Sequence, residues 1–104
     1  MKEGTTGGCP CKRYKKVPRD EVECRLLQHR LNRMIGQLGG IQRMIEENRY
    51  CGDILIQVAA VESALRSFGE VVLRQHLETC VTEEVRNGNT AIMEETMALI
   101  RKLN

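Results

Sequence analysis

Apolar residues recur every three or four positions over most of this chain, and that spacing dictates helices. A first series begins at Cys24 and ends at Ile45, with Leu27, Leu31, Met34, Leu38 and Ile41 between them. A seam sustained over about three heptads is typical of a helix that packs along another helix. The chain has no Trp, one Phe and two Tyr, so its core must be aliphatic. The sequence therefore predicts an all-α fold.

Residues that favour helix ends divide the chain. Asp20 and the acidic residues after it suit a helix N-terminus, and we expect the first helix to span about residues 20–48. Three glycines inside it each disfavour a helix by about 1 kcal/mol relative to Ala, or else mark a close contact. They are Gly36, Gly39 and Gly40. Residues 1–19, rich in Gly, Thr and Lys, are predicted to be a flexible tail, and residues 20–104 a single helical domain.

A second helix is predicted after a short break around residues 48–52. Its apolar stripe from Leu55 to Val72 keeps the same spacing as the first seam. Two further steps of four residues reach His76 and Cys80. This helix therefore carries a histidine and a cysteine on one face.

The last helix is predicted to be short. Gly88 can take the left-handed conformation that ends a helix, and Thr90 then suits the N-cap of the next one. Two long helices and a short third cannot bury both apolar stripes in a monomer. We therefore predict at least an obligate dimer, in which two helical hairpins form a four-helix bundle.

Charge is distributed unevenly along the chain. Residues 1–50 hold eleven Lys and Arg against six Asp and Glu, whereas residues 51–104 hold five against eight. The difference gives +5 for the first half and −3 for the second, within a net charge of +2. A basic half is what a phosphate-binding surface requires, although an ordinary solvated face has the same signature.

The sequence indicates the cellular compartment and limits the chemistry expected of the cysteines. No segment approaches the roughly 20 apolar residues that cross a bilayer, and the first residues lack the apolar run of a signal peptide. We therefore expect a cytoplasmic protein. The chain has five cysteines, and an odd count in a reducing compartment favours metal or redox chemistry over disulfides. No phosphate loop, nucleophile elbow or paired-carboxylate motif is present, so we do not expect an enzyme.

Three residues form a candidate metal site. His76 and Cys80 share one helix face, and Cys51 is a natural third ligand. About 37 Å of helix separates Cys51 from His76, so they can meet only if two chains pack antiparallel. Two thiolates and one imidazole suit three-coordinate Cu(I) better than structural zinc, which takes four ligands. The sequence leaves open the alternative that the cysteines are buried apolar residues and His76 an ordinary helix histidine.

The remaining cysteines give weaker signals. Cys9-Pro-Cys11 places two soft donors close together, which could bind or transfer a metal ion, but the spacing is not that of a zinc knuckle. A simple tail is the favoured interpretation. Cys24 lies on the apolar seam and is predicted to be a buried structural thiol.

Three segments together resemble the copper-sensitive operon repressors (the CsoR/RcnR family). The resemblance covers about residues 20–103. Residues 30–46 resemble the family's first-helix signature, residues 50–61 the start of its second helix, and residues 73–81 its metal-binding end. These segments read RLNRMIGQLGGIQRMIE, YCGDILIQVAAV and LRQHLETCV.

The resemblance implies a three-helix protomer, an antiparallel dimer that forms a four-helix bundle, and a tetramer made of two dimers. It implies Cu(I) ligands at Cys51, His76 and Cys80, with Tyr50 and Glu95 beside them. The family's nickel, cobalt, formaldehyde and persulfide sensors differ from this set, so the residues favour copper.

The resemblance also implies that operator DNA is a partner. Arg30, Arg33 and Arg43 are the candidate phosphate contacts on the first helix. Family members often carry a basic residue where this chain has Gly39, and again near Ser67, so the DNA-binding surface is where this chain departs from its relatives.

The resulting hypothesis is a repressor that binds operator DNA without metal and releases it when Cu(I) binds. One alternative keeps the repressor but makes persulfide or oxidant chemistry between Cys51 and Cys80 the signal. A second alternative is a copper-buffering protein with no DNA function.

Overall fold

A computed structural model describes residues 13–104, which contain helices and no strands. Helix α1 spans Glu21–Glu46, close to the predicted range. The second helix is a continuous rod made of three parts. They are α2 (Cys51–Gln75), a π-helical turn (His76–Val81) and α3 (Thr82–Arg86). Helix α4 spans Ala91–Leu103, so the predicted all-α protomer with three helices is confirmed.

Local signals fix both ends of α1. The Asp20 side chain accepts a hydrogen bond from the Glu23 backbone N–H at 2.8 Å, satisfying one of the free donors of the first turn. At the other end Asn48 has a positive φ of 55°, and the N–H of Arg49 bonds back to the carbonyl of Met44 at 2.9 Å. This is the Schellman arrangement that reverses the chain into α2.

The rod also ends in a Schellman arrangement. Gly88 has φ 89°, as its sequence context predicted, and the N–H of Asn89 bonds to the carbonyl of Glu84 at 2.8 Å. Thr90 immediately precedes α4, but its backbone is helical and its side chain makes no capping bond. The position of the last helix was therefore predicted correctly, and the capping role of Thr90 was not.

The buried core lies at one end of the hairpin. The turn at residues 47–50 is short, so α1 and α2 run antiparallel, and the N-terminal half of α1 lies opposite the C-terminal half of α2. Helix α4 packs against α2 and the π-helical turn at this same end. The buried side chains are Leu27, Met34, Val81, Ile92 and Thr96. The end of the molecule that carries His76 and Cys80 therefore has the denser packing.

The rest of the hairpin is long and open. The Cα radius of gyration is 17.4 Å and the longest dimension 56 Å, whereas a compact chain of this length has a radius near 13 Å. No residue of α2 is buried, and Leu55, Val58 and Leu65 expose apolar surface along it. An isolated protomer cannot cover this face, which supports the predicted pairing of hairpins.

The seam of α1 is only partly covered in one protomer. Cys24 is exposed, so the prediction of a buried thiol was wrong for the single chain, because the partner surface that the seam requires is not supplied by α2 at this position. No helix within residues 13–104 is long and apolar enough to cross a membrane.

We predict that Leu65→Glu breaks the assembly. A carboxylate placed in an apolar interface without a partner costs several kcal/mol, so the oligomer should dissociate toward the monomer mass in sedimentation velocity and melt at a lower temperature. Ser63→Glu is the control, since Ser63 is exposed on the opposite side of α2. An unchanged mass for Leu65→Glu would exclude this face as the interface.

Candidate metal centre

The π-helical turn presents two of the three predicted ligands together. His76 begins the turn and Cys80 lies inside it, and both line a cavity of about 560 Å³. π turns within α-helices occur frequently at functional sites. The structure therefore brings His76 and Cys80 to one surface, as their spacing predicted.

Threonine hydroxyls satisfy the backbone of the turn. Thr79 Oγ1 donates to the carbonyl of Gln75 at 2.7 Å, and Thr82 Oγ1 donates to the carbonyl of Leu77 at 2.9 Å. Hydroxyls that bond to carbonyls of the preceding turn compete with the helical ladder and bend helices. These contacts give a local cause for the departure from α-helical geometry between the two candidate ligands.

The sulfur of Cys80 already has a cationic neighbour. Lys15 Nζ lies 3.2 Å from Cys80 Sγ and donates to Thr79 Oγ1 at 3.1 Å. Lys15 belongs to residues 13–17, a segment that crosses the cavity and that we term the strap. A cation therefore lies at the atom that we expect to bind metal.

Two ion pairs hold the strap in place. Arg13 Nη1 lies 2.9 Å from Glu95 Oε2 on α4, and Lys16 Nζ lies 2.6 Å from Glu84 Oε2 on α3. The hydrogen bond from Lys16, followed by one from Asn89, lowers the pKa of Glu84 below its ordinary 4.5. The predicted tail pair, Cys9 and Cys11, lies outside the described residues.

His76 contacts a residue that the sequence did not single out. Its Nε2 lies 3.1 Å from Thr96 Oγ1, and Thr96 is only 2% exposed. The family resemblance implied a role for its neighbour Glu95, which lines the same cavity but pairs with Arg13. Thr96 was missed because a threonine on a short amphipathic helix carries no signal of its own.

Cys51 lies at the far end of α2. It is exposed, and the unbroken helix from Cys51 to Gln75 keeps it about 37 Å from His76. Within residues 13–104 no group of three His, Cys, Asp or Glu side chains is close enough to hold a metal ion. One protomer thus offers two candidate ligands at one end of the rod and one at the other.

Tyr50 lies over the start of α2. It is 76% exposed, and a Cβ added to Gly52 would stand 2.5 Å from its Cε2 atom. The missing side chain of Gly52 therefore leaves room for the ring beside Cys51. Arg49 and Asp53 pair at 3.2 Å across the same turn.

The candidate DNA contacts are on the surface of α1. Arg30, Arg33 and Arg43 are all exposed. The guanidinium of Arg43 lies back along the helix, and its Nη2 atom is 3.9 Å from where a Cβ on Gly40 would be. No tight approach involves Gly36 or Gly39 in the protomer, so the glycines do not mark a close contact between helices of the same chain.

Comparison with known proteins identifies the class. The model of the metal-sensitive transcriptional repressor family matches residues 24–102. The copper-sensing repressor RicR of Mycobacterium tuberculosis is 47% identical over 77 residues, which is 71% of this chain and 80% of RicR. The copper-sensing repressor CsoR of Bacillus subtilis is 40% identical over 63 residues, 61% of this chain and 62% of CsoR.

A solved structure agrees with the fold. The copper-sensing repressor CsoR with Cu(I) from Geobacillus thermodenitrificans gives a TM-score of 0.80 at 38% identity, over 85% of this chain and 93% of that one. This chain belongs to the metal-sensitive transcriptional repressor family, as the resemblance of its motifs indicated.

We predict that Glu84→Gln loosens the strap. The amide keeps a polar group opposite Lys16 but removes the charge, so trypsin should cleave after Lys16 faster than in the unmodified protein, as measured by mass spectrometry of the released peptide. Glu83→Gln is the control, because Glu83 pairs with Arg86 instead. Equal cleavage of both variants would contradict an anchoring role for Glu84.

The same ion pair sets a pH dependence. The pKa of Glu84 is lowered when the strap is docked, so the pairing contributes fully above the ordinary value and is lost as the pH falls through the lowered one. The protection of residues 13–17 from hydrogen exchange, taken as the intrinsic rate at each pH divided by the measured rate, should therefore hold at neutral pH and fall only in acid.

Proposed function

We propose that this chain is a Cu(I)-responsive transcriptional repressor of the cytoplasm, with no catalytic role. The observation that carries the proposal is the division of the ligands between the two ends of one rigid helix. His76 and Cys80 share a cavity at one end, and Cys51 is exposed at the other. The named copper sensors among the relatives support copper as the signal.

The donor set fits Cu(I). Two thiolates and one imidazole are soft donors, and three of them meet the low coordination number of Cu(I), whereas structural zinc takes four ligands. When bound, the metal would supply a positive charge that links the thiolates of two protomers. We propose Cys51 from one protomer and His76 with Cys80 from another as the ligands.

An antiparallel pairing satisfies both packing and ligand geometry. The exposed apolar face of α2 requires a partner. Packing two α2 helices antiparallel brings the Cys51 end of one beside the His76 end of the other. The dimer is then a four-helix bundle with two equivalent sites. We propose that two such dimers form the DNA-binding tetramer.

The two candidate ligands contact other elements of the protomer, through which metal binding would act. Cys80 contacts the strap through Lys15, and His76 contacts α4 through Thr96. Glu95 and Arg13 join α4 to the strap. Occupation of the site would change the partners of these atoms. If metal binding lowers the affinity for DNA, DNA binding must lower the affinity for the metal by the same factor.

DNA binding is assigned to the basic surface of α1. Arg30, Arg33 and Arg43 are exposed on this helix and lie in the half of the sequence that carries the positive charge. Contacts of this kind neutralise phosphates and release counterions. No helix-turn-helix is present in residues 13–104, so recognition would depend on phosphate position and DNA shape.

We predict that mixing two inactive variants restores copper binding. Cys51→Ala and Cys80→Ala should each lose tight Cu(I) binding. A purified heterodimer of the two keeps one complete site, because intact Cys51 and intact Cys80 then come from different chains. Anaerobic competition with a colourimetric Cu(I) chelator measures the number of tight sites.

The expected stoichiometry is two tight ions per unmodified dimer, one per heterodimer and none in either homodimer. No restoration in the heterodimer would reject the shared site. His76→Ala tests the signal: a persulfide sensor should still form a link between Cys51 and Cys80 and respond, whereas a copper sensor should lose its response.

We predict that Arg33→Ala weakens operator binding with a specific salt signature. Loss of one phosphate contact in each protomer that touches DNA should reduce the slope of log K against log salt by about 0.9 for each such protomer. Fluorescence anisotropy with a duplex from the upstream region of the gene measures both quantities. Arg86→Ala is the control, since Arg86 lies on α3 and pairs with Glu83. Equal effects of the two substitutions would contradict the assignment of DNA binding to α1. No DNA binding by the unmodified protein would favour a copper-buffering role.

A further inference from the structure

The most deeply buried polar side chain described is that of Thr96. It is 2% exposed, less than the apolar residues Leu27, Met34, Val81 and Ile92. A valine has the same shape and would carry no polar atom into this position. A hydroxyl in such a place costs free energy unless it has a partner, and the partner that the structure provides is His76 Nε2 at 3.1 Å.

We propose that Thr96 is a positioning residue for His76 that orients the ring and leaves Nδ1 as the metal-binding nitrogen. This inference rests on the proposed function. Neither the motifs nor the comparisons point to Thr96, and it acts on the metal only through His76.

The chemistry of the two groups suits both states of the site. An imidazole that binds metal through one nitrogen carries its proton on the other, and a partner of that N–H fixes the ring. Here Nε2–H donates to Thr96 Oγ1 when Nδ1 binds metal. In the metal-free protein the hydroxyl can rotate and either donate to Nε2 or accept from it, so the contact persists in both states.

A neutral partner also fits the charge of the site. Two thiolates, a neutral imidazole and Cu(I) together carry a net charge of about −1. A carboxylate hydrogen bonded to His76 would add a second negative charge in a partly buried cavity. Glu95 is directed instead to Arg13 on the strap, and Thr96 supplies the hydrogen bond without charge.

Packing alone would give Thr96 a different pattern of sensitivity. Thr96→Val preserves the shape and removes the hydroxyl, whereas Thr96→Ser preserves the hydroxyl and removes a methyl group. A positioning role requires Val to be harmful and Ser to be tolerated. A purely structural role requires the reverse, because filling a buried position with a methyl group stabilises it.

The test compares these two variants in two measurements. In the metal-free protein, two-bond ¹H–¹⁵N spectra of the histidine rings report the tautomer and environment of His76. The chain has two histidines, so His29→Gln assigns the signals. We expect Thr96→Val to shift the His76 ring nitrogens and Thr96→Ser to leave them close to those of the unmodified protein.

Anaerobic chelator competition gives the second measurement. We expect Thr96→Val to weaken Cu(I) binding about 10- to 100-fold, the usual effect of removing such a partner, with unchanged stoichiometry and no loss of melting temperature. Thr96→Ser should stay within about threefold. Unaltered His76 signals in Thr96→Val, or equal weakening in both variants, would overturn the role of Thr96.

The two proposals fail in different ways. If the unmodified protein binds no Cu(I), the proposed function is rejected, while the ring spectra of the metal-free protein still decide whether Thr96 sets the state of His76. If copper binds tightly to all three proteins and the ring signals agree, the copper sensor stands and the inference about Thr96 is rejected.

Discussion

The rigidity of the second helix governs the rest of this structure. A helix that runs without interruption from Cys51 to Gln75 cannot fold back, so the candidate ligands at its two ends are separated by about 37 Å while the helix is intact. The same helix exposes an apolar face. One element therefore creates both the need for a second chain and the geometry by which that chain would complete a metal site.

The interruption of that helix has the complementary role. The π-helical turn at His76–Val81 lies where α4 and the strap meet the rod, and each candidate ligand in it touches a different element. Cys80 touches the strap and His76 touches α4. The turn therefore lies at the point where the proposed metal site, the strap and α4 converge.

The sequence predicts the fold well because its signals are local. Apolar spacing, Asp20 and Gly88 each specify a feature within a few residues, and each of these features is present. Residues whose roles depend on distant partners were less accessible. The burial of Cys24 was predicted from periodicity, and the prediction was wrong for the protomer. The contact between Thr96 and His76 joins two residues that are 20 positions apart and lie on different helical elements.

The aromatic poverty of the chain has an optical consequence. With no tryptophan and only two tyrosines, the intrinsic ultraviolet emission of the protein comes from Tyr14 and Tyr50. Tyr14 lines the cavity of His76 and Cys80, and Tyr50 directly precedes Cys51. Each half of the proposed site therefore has its own fluorophore. Replacing either tyrosine with phenylalanine would leave a protein whose emission reports on the other half alone.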